Sequence, residues 1–300
     1  MSKLEYLAME SRKAAMLATA TKLAEYRNRP LLVLQLEEVR KIHALEVHKL
    51  LFDKQFEALD VILQTPGGDI NAAYLIAKML RSHAKQISVL VPLFAKSAGT
   101  LICMGCDCIM LTDLSELGPL DTQIPERKDG GDPEYVSALN GSKALEQVRL
   151  HAAETLDIVT QLIMSRSQMN TAEAVKLANE FVGQTAAKLY DNLEPDKIGE
   201  YARSLEIGER YGVALLTQHL GWPEEKADRT VKKLVYDYPS HGFAIDQQEL
   251  ESLGFNSVLV KSELLDLTMQ LREEVLKLYQ YDESLVELVN SDNIKSGGDA

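Results

Sequence analysis

The chain has 300 residues, of which 46% are hydrophobic and 26% charged, and its formal net charge is −13. A chain of this length and composition can bury a stable core without disulfides or metal ions. Its acidity argues against nucleic acid as a partner, because binding nucleic acid needs a basic surface. The N-terminus has no uninterrupted apolar core, and no run of about 18 apolar residues occurs. We therefore expect a cytoplasmic protein with no signal peptide and no membrane span.

Strands and helices alternate in the first half of the chain. Apolar residues at helical spacing predict one or two helices over residues 3–28, which end at Arg29-Pro30. The later predicted elements are strands at 31–36, 59–64, 87–93 and 108–111, and helices at 39–56, after Gly68, and at 98–105. This alternation predicts a mainly parallel sheet covered on both faces.

The second half of the chain is mainly helical. Residues 124–142 are polar and rich in Gly and Pro, which predicts a mobile loop. Ser142 is expected to cap a long helix that begins near Lys143 and ends near residue 166. Further helices are predicted at 171–182, 196–211, 224–235, 246–253 and 264–281, with a loop at 238–243 and a last strand at 257–260. The final five residues are expected to be disordered.

Two of the predicted strands end in breaks rich in small residues. The first break is T-P-G-G-D, with Gly67 and Gly68, and the second is A-K-S-A-G-T, with Ser97 at the turn from a strand into a helix. Adjacent glycines leave backbone N–H groups open to a ligand, and a serine at such a turn is displayed on a sharp corner. Ligands of parallel sheets lie at the carboxyl ends of the strands.

These two corners predict a nucleophile at Ser97 and an oxyanion hole formed by the N–H groups of Gly68 and Ala98. An unaided hydroxyl is a poor nucleophile and needs both a base and donors that hold the developing oxyanion. On spacing alone, however, a tight turn and a helix cap explain the same residues.

The ordered segments T-P-G-G-D (65–69), A-K-S-A-G-T (95–100) and S-E-L-G-P-L-D-T-Q (115–123) resemble the Clp-fold serine peptidases. The resemblance is greatest to the serine dehydrogenase proteinase family, which is related to signal peptide peptidase A and the stomatin-operon proteases. The stretches Y-P-S-H-G-F-A-I-D and L-E-S-L-G-F, within 238–255, also resemble that family. The resemblance covers roughly residues 30–260.

The resemblance implies an α/β fold, a Clp/crotonase-like β-α-β spiral with a mainly parallel sheet and extra helices at both termini. The implied organisation is an N-terminal helical segment (1–29), a catalytic domain (30–261) and a C-terminal helix with a disordered tail (262–300). The implied function is that of a serine endopeptidase, which cleaves peptide or protein substrates through an acyl-enzyme on Ser97 and acts as a homo-oligomer. We predict no cofactor.

The general base has two candidates in the sequence. The Clp protease proper uses a His soon after the serine, but residues 117–124 contain no His, so the chain departs from the Ser-His-Asp pattern. The signal peptide peptidase branch uses a lysine beyond the serine, and Lys143, 46 positions after Ser97 (143 − 97), fits that pattern. A lysine base must be neutral, which burial and a helix N-terminus both favour. An ordinary solvated lysine is the alternative interpretation.

Three other residues are candidates for roles beside the nucleophile. His241 lies in a Pro-containing loop and is the alternative base, since the order of residues along the chain does not constrain a triad. Lys96 adjoins Ser97, but neighbouring side chains in a turn usually diverge. Asp121 either orients a base or closes a turn, and we favour the turn.

The three cysteines read C-x-x-C-x-C, at Cys103, Cys106 and Cys108. An odd number clustered in an apolar stretch predicts small buried side chains, rather than a disulfide framework or a metal site. No cluster of His, Asp and Glu has metal-ligand spacing, so we expect no metal.

Two alternative functions stay open. A crotonase-type acyl-CoA lyase or isomerase uses the same fold and an oxyanion hole for a thioester enolate, but it needs active-site carboxylates that do not stand out here. A catalytically silent Clp-fold assembly protein would keep the fold without turnover.

Overall fold

The computed structural model describes residues 3–121, 123–126, 134–191 and 193–289. It divides into two compact units, one formed by Met1–Leu120 with Gly208–Ala300 and the other by Asp121–Ile207. The strands are β1 (Leu31–Gln35), β2 (Phe56–Gln64), β3 (Ala84–Val91), β4 (Phe94–Ala95), β5 (Cys108–Leu111), β6 (Glu116–Leu117), β7 (Gln123–Glu126), β8 (Glu134–Ser137), β9 (Ser257–Leu259) and β10 (Leu285–Val289). The α-helices are α1 (Lys3–Arg27), α2 (Lys41–Leu51), α3 (Ile70–His83), α4 (Ala98–Met104), α5 (Ala138–Ser167), α6 (Thr171–Tyr190), α7 (Pro195–Gln218), α8 (Glu224–Lys232), α9 (Gln247–Ser252) and α10 (Ser262–Tyr279), and a π-helix spans Lys233–Asp237.

The first unit is built on a six-stranded sheet with the order β10-β1-β2-β3-β5-β9. All neighbouring strands are parallel except β10, which is antiparallel to β1. A separate parallel pair, β4 with β6, lies beyond the carboxyl end of β3 in the chain. The predicted α/β class with a mainly parallel sheet is confirmed.

Helices α1 and α10 cover one face of this sheet. Their inward residues recur at helical spacing and join the strand residues that point to the same face. The cluster includes Met16, Ala20, Leu23, Leu31, Val33, Ile62, Leu271, Val275 and Leu278. The alternate strand residues Leu32, Leu34, Val61 and Leu63 are also fully buried. Both faces are therefore covered, which explains why the strands read as continuous apolar runs rather than alternating ones.

The second unit contains an antiparallel strand pair, β7 with β8, and two long helices that pack along each other. The buried residues of α6 repeat every fourth position and form one stripe, made of Ala174, Ala178, Val182 and Ala186. Small side chains at this spacing let two helix backbones approach closely.

The structure corrects the prediction for residues 124–142. Part of that stretch forms β7 and β8, and residues 127–133 lie outside the described part of the chain. Helix α5 begins at Ala138 rather than near Lys143, and its N-cap is Ser137, whose hydroxyl accepts a hydrogen bond from the Leu139 N–H. Ser142, the predicted cap, lies inside the helix.

Strand β10 was missed in the C-terminal segment. The sequence L-V-E-L-V is short and follows a helix, so its pairing with β1, about 250 residues earlier, leaves no local signal. The expected disordered tail lies outside the described residues. In the described part of the chain, no helix combines the length and the apolar character needed to cross a bilayer.

Candidate active site

The di-glycine corner continues β2 between two other segments. On one side, Leu36 N–H donates to the carbonyl of Gln64 and Val39 N–H donates to that of Gly67. On the other side, the Thr65 N–H donates to the carbonyl of Phe94 (3.1 Å), and the Thr65 carbonyl accepts from the Lys96 N–H (3.0 Å). The corner is therefore held by the backbone on both flanks.

The N–H group of Gly68 is left available by this pairing. The carbonyl of Gly67 points at Val39, and in a trans peptide the following N–H points the opposite way. It therefore points away from Val39, toward the side on which the segment before Ser97 runs. No described residue accepts a hydrogen bond from it.

Only glycine fits both positions of the corner. The φ angles are +124° at Gly67 and +135° at Gly68, a region that residues with a Cβ rarely adopt. A Cβ on Gly68 would lie 2.5 Å from the carbonyl oxygen of Val39 and 2.6 Å from its nitrogen. The sequence G-G thus follows from the backbone geometry that exposes the N–H group.

Ser97 occupies a strained position at the start of α4. Its φ and ψ are 48° and −110°, it is the N-cap of the helix, and its side chain makes no capping hydrogen bond. Such strain costs about 1–3 kcal/mol and concentrates at functional sites. The side chain is half-buried, and its hydroxyl has no hydrogen-bond partner in the described part of the chain.

Ser97 faces the di-glycine corner. A Cβ built on Gly67 would lie 3.1 Å from the Ser97 Cβ and 3.6 Å from its Oγ. The N–H of Ala98, at the first position of α4, cannot bond within the helix and has no acceptor among the described residues. The structure therefore places one hydroxyl and two backbone donors at neighbouring strand ends.

Lys96 is committed to other contacts. Its Nζ lies 2.8 Å from Glu116 Oε1 and also donates to the carbonyls of Leu117 and Phe243. These contacts occupy the three donors of an ammonium group, so Lys96 is not placed to accept a proton from Ser97.

The loop that carries His241 is held beside this lysine. Phe243 N–H closes a turn onto the carbonyl of Ser240, and Ile245 pairs with Leu117 through two backbone hydrogen bonds. Since the carbonyl of Phe243 accepts from Lys96, the His241 turn is joined to the residue that precedes the serine. His241 is half-buried.

Lys143 belongs to the second unit, whereas Ser97 belongs to the first. It lies in the second turn of α5, where its side chain is exposed. Asp121, also in the second unit, is buried and accepts a hydrogen bond of 2.8 Å from the hydroxyl of Ser137, the N-cap of α5. Asp121 thus fixes the start of the helix that carries Lys143.

Two threonines that sequence reasoning passed over hold the site together. Thr65 Oγ1 accepts from the N–H of Gly67 (3.2 Å). The buried Thr100 Oγ1 bonds the carbonyls of Ala95 and Gly118 and accepts from the Gly118 N–H. The sequence does carry a signal for Thr100, which is a polar residue within the apolar first turn of α4. A hydroxyl buried there nearly always has a hydrogen-bond partner.

The cysteines have no part in the contacts described above. Cys103 and Cys106 are buried and Cys108 is half-buried, and all three are free thiols. Burial raises the pKa of Cys106 to about 12 and also raises the pKa of Cys103 well above its ordinary value, which disfavours the thiolate that metals and electrophiles require. In the described residues, no group of three or more His, Cys, Asp or Glu side chains is arranged to hold a metal ion.

Residues 47–131 match the family model of the ClpP-like SDH-type serine proteinases. The matched region contains both corners, Gly67-Gly68 and Ser97, and it confirms the resemblance drawn from the motifs. The match supports a peptidase fold for this part of the chain.

Two uncharacterized proteins of Methanocaldococcus jannaschii are related to the chain. One is 28% identical over 222 residues, which covers 74% of this chain and 57% of the relative. The other is 28% identical over 150 residues, covering 50% of this chain and 44% of the relative. The chain thus spans about half the length of these relatives.

Solved structures similar to the chain include two proteases. A serine-to-alanine mutant of the 1510-N membrane-bound stomatin-specific protease aligns with 46% of this chain and 64% of its own, with 17% identity and a TM-score of 0.28. A mutant of ClpP1 from Listeria monocytogenes aligns with 79% of this chain and 94% of its own, with 12% identity and a TM-score of 0.38.

Proposed function

We propose that the chain is a serine endopeptidase whose nucleophile is Ser97. The observation that carries the proposal is the strained serine packed against a di-glycine corner, with the N–H groups of Gly68 and Ala98 left without acceptors among the described residues. The family match over this same region supports the choice of reaction.

The proposed reaction proceeds in two steps. Ser97 Oγ attacks the carbonyl carbon of the scissile peptide while the base takes its proton, and the carbonyl oxygen becomes an oxyanion held by Gly68 and Ala98. The C–N bond then breaks, the base returns the proton to the leaving amine, and an ester on Ser97 is left. Water, deprotonated by the same base, hydrolyses that ester and restores the hydroxyl.

Lys143 is the base we favour within this proposal. Its amine has no ion-pair partner in the described residues, whereas Lys96 is fully engaged with Glu116 and two carbonyls. An exposed lysine becomes a base only when its ammonium is desolvated. The proposal therefore requires bound substrate or a second copy of the chain to cover Lys143, which agrees with the proposed homo-oligomer.

The test of the function is covalent labelling of the unmodified chain. A fluorophosphonate probe is expected to give a single adduct, mapped by peptide mass spectrometry to Ser97, and prior heat denaturation should prevent it. An adduct on another serine would show that this other serine, and not Ser97, is the nucleophile. The absence of any adduct under conditions that label a known serine protease would favour a catalytically silent assembly protein.

The base is identified by a panel of alanine variants. Lys143→Ala is expected to slow labelling and peptide hydrolysis by about 10²- to 10⁴-fold, the usual contribution of a general base. His241→Ala should retain most activity, and Lys176→Ala, which removes another exposed helical lysine, is the matched control. A large loss in His241→Ala with an active Lys143→Ala would reverse the assignment.

A further inference from the structure

The side chain of Lys96 connects the nucleophile to two segments that are distant along the chain. Its Nζ lies 2.8 Å from Glu116 Oε1, 3.2 Å from the carbonyl oxygen of Leu117 and 3.4 Å from that of Phe243. The first two acceptors belong to β6, and the third belongs to the turn at 240–243. One ammonium thus holds both segments.

The stem of this side chain is enclosed. The Lys96 side chain is only 13% exposed, and a Cβ on Gly118 would lie 2.7 Å from its Cδ. A charged group in such a position is tolerated only when its donors are satisfied, as they are here. Gly118 therefore provides the space through which the stem passes.

The backbone of Lys96 is fixed as firmly as its side chain. Its N–H donates to the carbonyl of Thr65, two residues before the di-glycine corner, and its carbonyl accepts from the N–H of Gly99 in the first turn of α4. Leu117 and Ile245 exchange two backbone hydrogen bonds, so β6 and the loop with His241 are joined to each other as well.

We infer that Lys96 is a positioning residue of the active site, which fixes β6 and the turn at 240–243 around Ser97. The inference rests on the proposed function. A strained backbone such as that of Ser97 persists only where its surroundings hold it. Without the ammonium, the carboxylate of Glu116 and the carbonyls of Leu117 and Phe243 lose a shared donor, and both segments can move away from the nucleophile.

The central experiment compares Lys96→Met, Lys96→Arg and the control Lys85→Met. Methionine keeps the stem and removes the charge, and Lys85 is an exposed lysine paired with Glu57 on the surface. Lys96→Met is expected to lower kcat by about 10- to 100-fold, because a displacement near 1 Å costs about that much. KM and the midpoint of the pH–rate profile should stay unchanged, Lys96→Arg should recover part of the rate, and Lys85→Met should match the wild type.

Two results would overturn the inference. A changed pH–rate midpoint in Lys96→Met, with activity reduced to background, would make Lys96 the base. An unchanged rate for each probe-titrated active site, with only a smaller folded fraction, would make its role purely structural.

Gly118→Ala provides an independent test if Lys96→Met fails to fold. Its Cβ should displace the Lys96 stem and lower kcat in the same way while the lysine remains present. Hydrogen exchange of the peptides covering 113–118 and 238–245 should become faster in Lys96→Met and Gly118→Ala. Hydrogen exchange can be measured without enzymatic activity. Faster exchange in a chain that the probe never labels would therefore refute the peptidase proposal but not the role of Lys96 in holding these two segments. Unchanged exchange in both variants would refute the positioning role alone.

Discussion

Replacing Ser97 with alanine is expected to reduce peptide hydrolysis by about 10⁴-fold or more, and to abolish labelling by the fluorophosphonate probe. The hydroxyl of Ser97 supplies the attacking oxygen in the proposed reaction, and alanine has no group that can replace it. A small residual rate is expected, because the N–H groups of Gly68 and Ala98 remain and can still polarise a bound carbonyl.

The same substitution should leave the melting temperature unchanged. The Ser97 hydroxyl has no hydrogen-bond partner in the described part of the chain and does not cap α4, so its removal leaves no polar group unsatisfied. Ser82→Ala, on the exposed side of α3, is the matched control and should keep full activity. Full hydrolysis by purified Ser97→Ala would place the nucleophile elsewhere, and a marked loss of stability would show that the serine is structural.

The sheet was predictable because its signals are local. Apolar strands such as 31–36 and 59–64 are separated by an amphipathic helix, and each strand end is punctuated by small residues. The glycine pair could be located from these small residues, because a side chain there would block the backbone donors. Ser97 could be located because it lies in the break at the end of another predicted strand. The strained backbone of Ser97 could not be predicted, because no sequence pattern indicates a φ of 48° at a serine.

The features that sequence reasoning missed are long-range or locally ambiguous. The contacts of Lys96 join residues 21 and 147 positions apart, so the lysine could be considered only as a neighbour of the serine. The cap of α5 was predicted at Ser142, but the N-cap is Ser137, and the capping propensity of serine is the same at both positions. The choice depends on Asp121, which holds the hydroxyl of Ser137.

Gly68→Ala is expected to disable the site while Ser97 stays in the chain. The new Cβ would meet the backbone nitrogen and oxygen of Val39 at 2.6 and 2.5 Å, and backbone atoms cannot move aside as a flexible side chain can. The φ of +135° adds a further penalty of about 1–3 kcal/mol. The corner must shift, which redirects the Gly68 N–H, and the loss of one oxyanion donor typically lowers kcat by about 10²- to 10³-fold.

The matched control for this substitution is Gly183→Ala, within α6. Apart from the adjacent backbone of α6, no atom of the described residues lies within 4 Å of a Cβ at that position. Alanine is also the better helix former by about 1 kcal/mol, so this variant should be at least as stable as the wild type and equally active. Assays well below the melting temperature of Gly68→Ala separate catalysis from folding, because there both variants are folded. If Gly68→Ala then hydrolyses peptides at the wild-type rate, the di-glycine corner is only a tight turn, and the oxyanion must be stabilised by donors other than the Gly68 N–H.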